Sequence, residues 1–484
     1  MIWHESVKIG VIGTYNSGKT VFLTSLLNHL LHHSSDKFQL KGSEDICIKK
    51  TEFLETDGPY SPFPYEAYRD ALVRQGKWPA KTLCSSQIKL DLKLSSGFQK
   101  NYELTLFDFP GEALADASMA LLDYPSWSKA TLGSIQDHET ERQAASDYLS
   151  LLQQPNHLNE ASLLKSYKIY LAKKRKAFRP LIQPSSFILS EESGLISSQL
   201  EVEAMIQNRF LGSRSSEFIP LSEKMIEQNS ELAKRMQQHY EKYRSEKVLP
   251  LFKELATCDS LLILNDLPTM LNAGSDMCND TIEMVKACMG FCQPGKNAVE
   301  SLYLMSQIPR LYRQSTEMIA KTPILGTISQ YLLGKKSPLD VVTSALDHWL
   351  GVKKIKRLVI AASKCDLVHE SDRDKLQPLL KELFLSTANA HEGLDLVWSN
   401  LSAAVATRSS VEHHALLGEL ESASQPGEQL VKVSQLPEHW PHQWNAGEYS
   451  FPDFKPKCFP GLKVQSPEHY NMDKVFNHLI GWSE

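Results

Sequence analysis

The chain has 484 residues, 42% hydrophobic and 23% charged, with a formal net charge of −5. That exceeds what one ordinary core holds, so a main domain with a large insertion or a second domain is expected. The balance is that of a soluble globular protein and gives no support to a disordered chain or a polybasic nucleic-acid binder.

No run approaches the roughly 20 apolar residues of a membrane span. The start, MIWHESVKIGVIGTYNSGKT, lacks the apolar h-region and small-residue cleavage site of a signal peptide, so a cytoplasmic location is expected. Eight cysteines without framework spacing read as reduced thiols. Cys288 and Cys292, one helical turn apart, could share a metal, but no second pair or HExxH accompanies them and buried thiols are the simpler reading.

In chain order, Val7, Ile9, Val11 and Ile12 predict a strand buried on both faces. It runs directly into Gly13-Thr14-Tyr15-Asn16-Ser17-Gly18-Lys19-Thr20, which is G-x-x-x-x-G-K-T, followed by Val21. Phe22, Leu23, Leu26, Leu27, Leu30 and Leu31 then fall at helical spacing, so the loop lies between strand and helix. Glycine at 13 and 18 permits a tight turn whose N–H groups, with the helix N-terminus, cradle polyphosphate. The candidate phosphate-binding residues are Gly13, Tyr15, Asn16, Ser17, Gly18, Lys19, Thr20 and Val21, with Lys19 also catalytic through the β and γ phosphates and Thr20 a ligand of Mg²⁺.

Thr82 in KWPAKTLCSSQIKL is the candidate first-switch threonine, for Mg²⁺ and catalysis; a plain loop threonine is nearly as good a reading. Arg69 and Arg74 could supply an arginine finger, although solvated loop arginines are commoner. IKLDLKL at 88–94 alternates strictly and YELTLFD at 102–108 nearly so, which predicts an antiparallel hairpin at a sheet edge. A Ras-like GTPase core resembles this order, its hairpin ending in D-x-x-G. Here that ending is Asp108-Phe109-Pro110-Gly111, with Asp108 placed to hold Mg²⁺ through water, Gly111 to sense the γ-phosphate, and Glu112 where Ras-like proteins carry a water-orienting glutamine.

Between Gly111 and Arg357 much of the chain has helical periodicity, with basic and aromatic KSYKIYLAKKRKAFRP read as a solvated face before a surface for an acidic partner or membrane. PILGTISQYLLGKKSPLDVVTSALDHWLGVKK is amphipathic and could touch lipid or a partner helix, with packing on the core preferred. Inside this stretch Leu261-Leu262-Ile263-Leu264-Asn265-Asp266 is a rival Walker B without a following glycine; it reads as the next core strand, with Asp266 near the pocket or structural.

The apolar run RLVIAA at 357–362 ends in Ser363-Lys364-Cys365-Asp366, which fits [NT]-K-x-D with serine first. A carboxylate at Asp366 would accept guanine's N1–H and 2-amino protons and oppose adenine's N1 lone pair, with Lys364 along the base face. Serine cannot span base and P-loop as asparagine does, which predicts looser base affinity. Ser402-Ala403 is the candidate backbone contact to the guanine oxygen.

GTYNSGKTVFLTSLLNHLL, FDFPGEALAD with YPSWS, LIQPSSFIL, LLILNDLPTMLNAG, LVIAASKCD, and FPDFKPKCFPG with DKVFNHLIG together resemble the YcjX-like family of P-loop GTPases, bacterial proteins associated with stress responses. The resemblance implies an α/β fold, a Ras-like P-loop NTPase core of mostly parallel sheet with one antiparallel edge hairpin and a large α-helical insertion, GTP and GDP binding with Mg²⁺, and cytoplasmic location. The expected division is 1–112 as first part of the core, 113–255 helical insertion, 256–276 core strand, 277–355 second helical insertion, and 356–484 the rest of the core. Mg²⁺-dependent GTP hydrolysis, a nucleotide-gated protein that engages an unknown partner through its helical insertion, and ATP use remain open side by side.

Overall fold

The computed structural model describes residues 3–14, 16–40, 47–56, 60–80, 85–95, 100–120, 122–153, 159–177, 180–187, 217–290, 355–388, 394–424, 426–458 and 466–482. Tyr15, Thr82, Cys292 and the amphipathic 323–354 segment lie outside them. The chain divides into two compact units: Met1–Gly111, Cys258–Val285 and Ile355–Glu484 form one, Glu112–Thr257 and Lys286–Lys354 the other.

The first unit is built on strands β1 (Trp3–Gly13), β2 (Cys47–Leu54), β3 (Ser61–Pro62), β4 (Ser86–Ser95), β5 (Lys100–Asp108), β6 (Ser260–Asn265), β7 (Arg357–Ala362) and β8 (Asp395–Asn400). Their order is β2-β4-β5-β1-β6-β7-β8, with β3 on β4. From β5 to β8 every pairing is parallel, and β4 is antiparallel to both β5 and β2. Burial follows the sequence pattern: every residue of β6 is buried, whereas in β4 Ile88, Leu90, Leu92 and Leu94 face the core and alternate with wetter positions. The structure adds β2 outside the hairpin, an exposed strand whose pairing with β4 shifts register between Ile48 and Lys50; such an irregularity and its lysines blunt an open edge.

Helix α1 (Lys19–Leu31) packs Phe22, Leu23, Leu26, Leu27 and Leu30 into one apolar cluster with Val7, Ile9 and Val11 of β1 and with Met472, Val475, Phe476 and Leu479 of the C-terminal helix Met472–Ile480. Burying a leucine-sized side chain is worth about 1.5–3 kcal/mol, so this cluster fixes α1 against the sheet. In register, Gly13 lies opposite Leu264, Asn265 opposite Ala362, and Ala362 opposite Asn400. The carboxyl ends of β1, β6, β7 and β8 therefore form one edge, where open α/β sheets hold ligands. Short strands β9 (Arg408–Ser409), β10 (Ala415–Gly418) and β11 (Gln429–Lys432) make a separate antiparallel sheet.

The second unit is helical among its described residues, with helices including Tyr124–Asp137, Glu160–Lys176, Glu231–Tyr243 and Leu249–Ala256. Asp123, Asn159 and Ser230 cap three of them by accepting backbone N–H groups. Its centre is aromatic: Tyr124, Trp127, Phe218 and Tyr240 are buried with ring centroids 5.2–6.1 Å apart. The basic run is not simply a solvated face. Lys168 is buried in an ion pair with Glu217 at 2.7 Å and Lys174 in one with Glu141 at 3.1 Å, partners distant in sequence that no local charge pattern reveals. Among the described residues no helix is long and apolar enough to cross a membrane.

Candidate functional site

The loop after β1 is held by its own lysine. Lys19 Nζ donates to the carbonyls of Gly13 at 2.8 Å and Thr14 at 2.9 Å, and the side chain is buried. Gly13 has no room for a side chain, since a Cβ would lie 2.5 Å from Leu264 O and 2.5 Å from Ser17 Oγ. Asn16 at φ 62° and Gly18 at φ 89° take left-handed conformations that curl the chain between them. Ser17 N closes the turn onto Thr14 O at 3.2 Å. The N-cap position of α1 is Gly18, and among the described residues no side chain caps it. Thr20 sits in that turn, its carbonyl accepting from Thr24 Oγ1, and Val21 packs on the core cluster.

Asp108 ends β5 fully buried, opposite Val11 of β1 and Ser86 of β4. Burial, and then its charge, raise the phenol of Tyr68. Phe109 is buried and stacks on Phe107, which fixes the turn towards Gly111. Hard oxygen donors from Thr20 and Asp108 are the chemistry Mg²⁺ takes, since it keeps several waters and needs few protein ligands. Among the described residues no group of three or more His, Cys, Asp and Glu gathers for a metal, and Cys288 is a buried thiol pushed up to about 12. Glu112 begins the helical unit, where its carboxylate lies 3.8 Å from Arg175.

The turn after β7 is braced from several sides. Asp366 is buried and its carboxylate accepts from Ser402 Oγ and from Ala406 N at 2.9 Å; Ser402 Oγ in turn accepts from Asp366 N at 3.0 Å. Thr407 Oγ1 donates to the Asp366 carbonyl, and Arg373 donates to the carbonyls of Cys365 and Val368, both at 3.2 Å. Burial raises the Asp366 carboxyl while the Ser402 and Ala406 donors hold it down. The Ser363 hydroxyl is buried and has no hydrogen-bond partner among the described residues, and its N–H donates to Asn265 O at 2.9 Å. Lys364 takes φ 54° and its Nζ meets Asp266 Oδ2 at 2.7 Å. Ala403 is buried next to Ser402, whose backbone bridges to Tyr470.

Within the first unit, the structure thus gathers Gly13 to Thr20, apart from the undescribed Tyr15, with Lys364, Asp366, Ser402 and Ala403 along one end of the sheet. Sequence reading overlooked Ala406, Thr407 and Arg373. The small-residue run LSAAVAT after β8 was the available signal, though its composition is too common to be diagnostic.

A P-loop on a mostly parallel α/β sheet with an antiparallel margin defines a Ras-like core. The profile of the YcjX-like family, DUF463, matches residues 7–318 and 326–482, and the chain belongs to that family. It is similar to "Ras-like GTPase YcjX" of Escherichia coli, 27% identical over 199 residues, a match covering 38% of this chain and 43% of that protein. It is also similar to "Ras-like GTPase YcjX" of Shewanella oneidensis, 21% identical over 516 aligned positions covering 98% of this chain and 94% of that one.

Proposed function

We propose that this chain binds guanine nucleotide with Mg²⁺ and hydrolyses GTP to GDP and phosphate. The observation that carries this reading is the buried Asp366 carboxylate, gripped by Ser402 and Ala406 on the same sheet edge as the Lys19 loop. A carboxylate has about four acceptor positions, so two protein donors leave capacity for the N1–H and 2-amino group of guanine. Adenine would set its N1 lone pair against that charge and leave buried polar groups unpaired. The names of the two relatives agree with this ligand class.

Phosphates would sit at the start of α1 under the loop N–H groups and Lys19, with Thr20 and Asp108 as the residues that would hold Mg²⁺, which would supply neutralising charge for the phosphates. The hydrogen bonds from Lys19 Nζ to the carbonyls of Gly13 and Thr14, which keep its charge at the loop, support this role. Glu112, as the residue after Gly111, would orient the attacking water; a carboxylate there repels the γ-phosphate, which implies slow turnover. Thr82 remains the first-switch candidate.

A second reading, nucleotide-gated interaction with little hydrolysis, is favoured by chain order: residues 112–120, directly after the D-x-x-G turn, belong to the helical unit and hydrogen-bond within it through Asp116, Met119 and Ala120. Competition of GTP, GDP and ATP for the protein with Mg²⁺, repeated with Asp366→Ala, tests the ligand. A guanine preference that collapses in the variant supports it; equal affinity for GTP and ATP, or an unchanged preference, defeats it. Phosphate release that disappears in Lys19→Ala supports hydrolysis, and its absence from the native protein leaves the gated reading.

A further inference from the structure

We propose that Asp266 is the positioning residue for Lys364, and that this ion pair across β6 and β7 sets how tightly the guanine base is held. The inference rests on the guanine-nucleotide reading above and deepens it. The two strands are neighbours in register, with Asn265 opposite Ala362, so the residues just beyond each strand fall side by side. Asp266 Oδ2 lies 2.7 Å from Lys364 Nζ, and the Asp266 side chain is only 4% exposed.

Asp266 is itself fixed. Its Oδ1 accepts from Thr269 N at 3.0 Å, capping the helix Leu267–Ala273, and its Oδ2 accepts from Thr269 Oγ1 at 2.6 Å. A carboxylate with both oxygens engaged and almost no solvent offers the ammonium one position. Lys364 approaches from a left-handed backbone, an arrangement that costs a non-glycine residue free energy and persists where surroundings enforce it. The carboxyls of the exposed residues Asp453 and Glu421 also interact with Lys364, whose charge opposes the upward shift of each.

The need for such a clamp follows from Ser363. In [NT]-K-x-D the first side chain ties the turn to its surroundings, but here its hydroxyl makes no hydrogen bond among the described residues. Lysine is a flexible four-carbon stem, and lying along a base in one rotamer costs it entropy unless something else has already ordered it. Asp266 supplies that order from the neighbouring strand. The aspartate of LLILND is therefore assigned to base recognition, not to a Walker B metal site.

Calorimetric titration of the full-length protein with Mg²⁺ and GDP, and separately with tripolyphosphate, which has the phosphates but no base, tests this with Asp266→Asn. Asparagine still caps Thr269 N but removes the charge facing Lys364. GDP affinity should fall about tenfold, about 1.4 kcal/mol, while tripolyphosphate affinity stays within twofold. Adding Asp266→Asn to Lys364→Met should cost nothing further. Unchanged GDP affinity, equal losses for both ligands, or a full further loss in the Lys364→Met background each overturn the assignment. Native protein that binds tripolyphosphate but not GDP would instead remove the guanine reading beneath it.

Discussion

Tyr243 donates its hydroxyl to the Asp116 carboxylate at 2.6 Å in the interior of the helical unit. Ser185 donates to the same carboxylate through its N–H at 3.0 Å and its hydroxyl at 2.6 Å, so three donors converge on one fully buried acid. Burial outweighs them and pushes Asp116 up to about 6 from the usual carboxylate range. The folded state thus binds this proton more tightly than the unfolded chain, and the helical unit should gain stability as pH falls from about 6 towards 4. At 1.36 kcal/mol per unit the gain is on the order of 3 kcal/mol. Amide exchange of the helix Glu231–Tyr243 should slow over that window in the native protein, and less so in Asp116→Asn. An identical pH slope in the variant would refute the assignment.

His29 predicts the opposite sign in the first unit. Its ring is buried between Phe38 and His469, with Nε2 hydrogen-bonded to Pro467 O at 3.0 Å, and burial followed by the His469 charge lowers it to about 4. A histidine held neutral in the fold contributes stability above its ordinary value near 6.5 that is lost as pH falls towards 4, here about 3 kcal/mol. Exchange in α1 should quicken in acid, and His29→Gln, which retains a donor for Pro467, should flatten the profile. Equal acid sensitivity in both proteins would count against it.

What could be read from the sequence was local. The strand, P-loop and α1 showed in residues 7–31 because apolar period and glycine placement sit on contiguous residues, and β4 showed by alternation. Strand β2 did not, because as an edge strand its side chains are exposed or half-buried and carry no clean period. Likewise Lys364 advertised itself beside Asp366, whereas its partner Asp266 is brought close only by the adjacency of β6 and β7. Lys168 and Lys174 looked solvated for the same reason: Glu217 and Glu141 come from other parts of the chain. Composition reveals a charge, while only topology reveals its counter-charge.

Two glycines should respond in opposite directions to alanine. At Gly13 a Cβ would collide with the Leu264 carbonyl and Ser17 Oγ, so Gly13→Ala should cost about 1–3 kcal/mol as overpacking and displace the loop from Lys19. Gly133 lies within the helix Tyr124–Asp137 with nothing among the described residues within 4 Å of its Cβ position, so Gly133→Ala should stabilise by up to about 1 kcal/mol. Urea midpoints give both signs. Nucleotide affinity should drop at least tenfold for Gly13→Ala alone; native-like binding by that variant would show that the loop tolerates a side chain there.

Ser402 should matter more than its size suggests. Its hydroxyl accepts from Asp366 N at 3.0 Å while donating to the Asp366 carboxylate, so a single atom satisfies both ends of the residue proposed to read the base. Ser402→Ala leaves a buried N–H without its acceptor and takes one donor from a buried carboxylate, at a cost of about 1–3 kcal/mol. With a donor gone, burial is less opposed and the Asp366 carboxyl moves further up, which would weaken it in its proposed role as acceptor of guanine's two protons. The variant should therefore lose GTP affinity more than ATP affinity, and the GTP loss should deepen as pH is lowered because the acid protonates more readily. Parallel losses for the two nucleotides, independent of pH, would reduce Ser402 to a support of the fold with no part in reading the base.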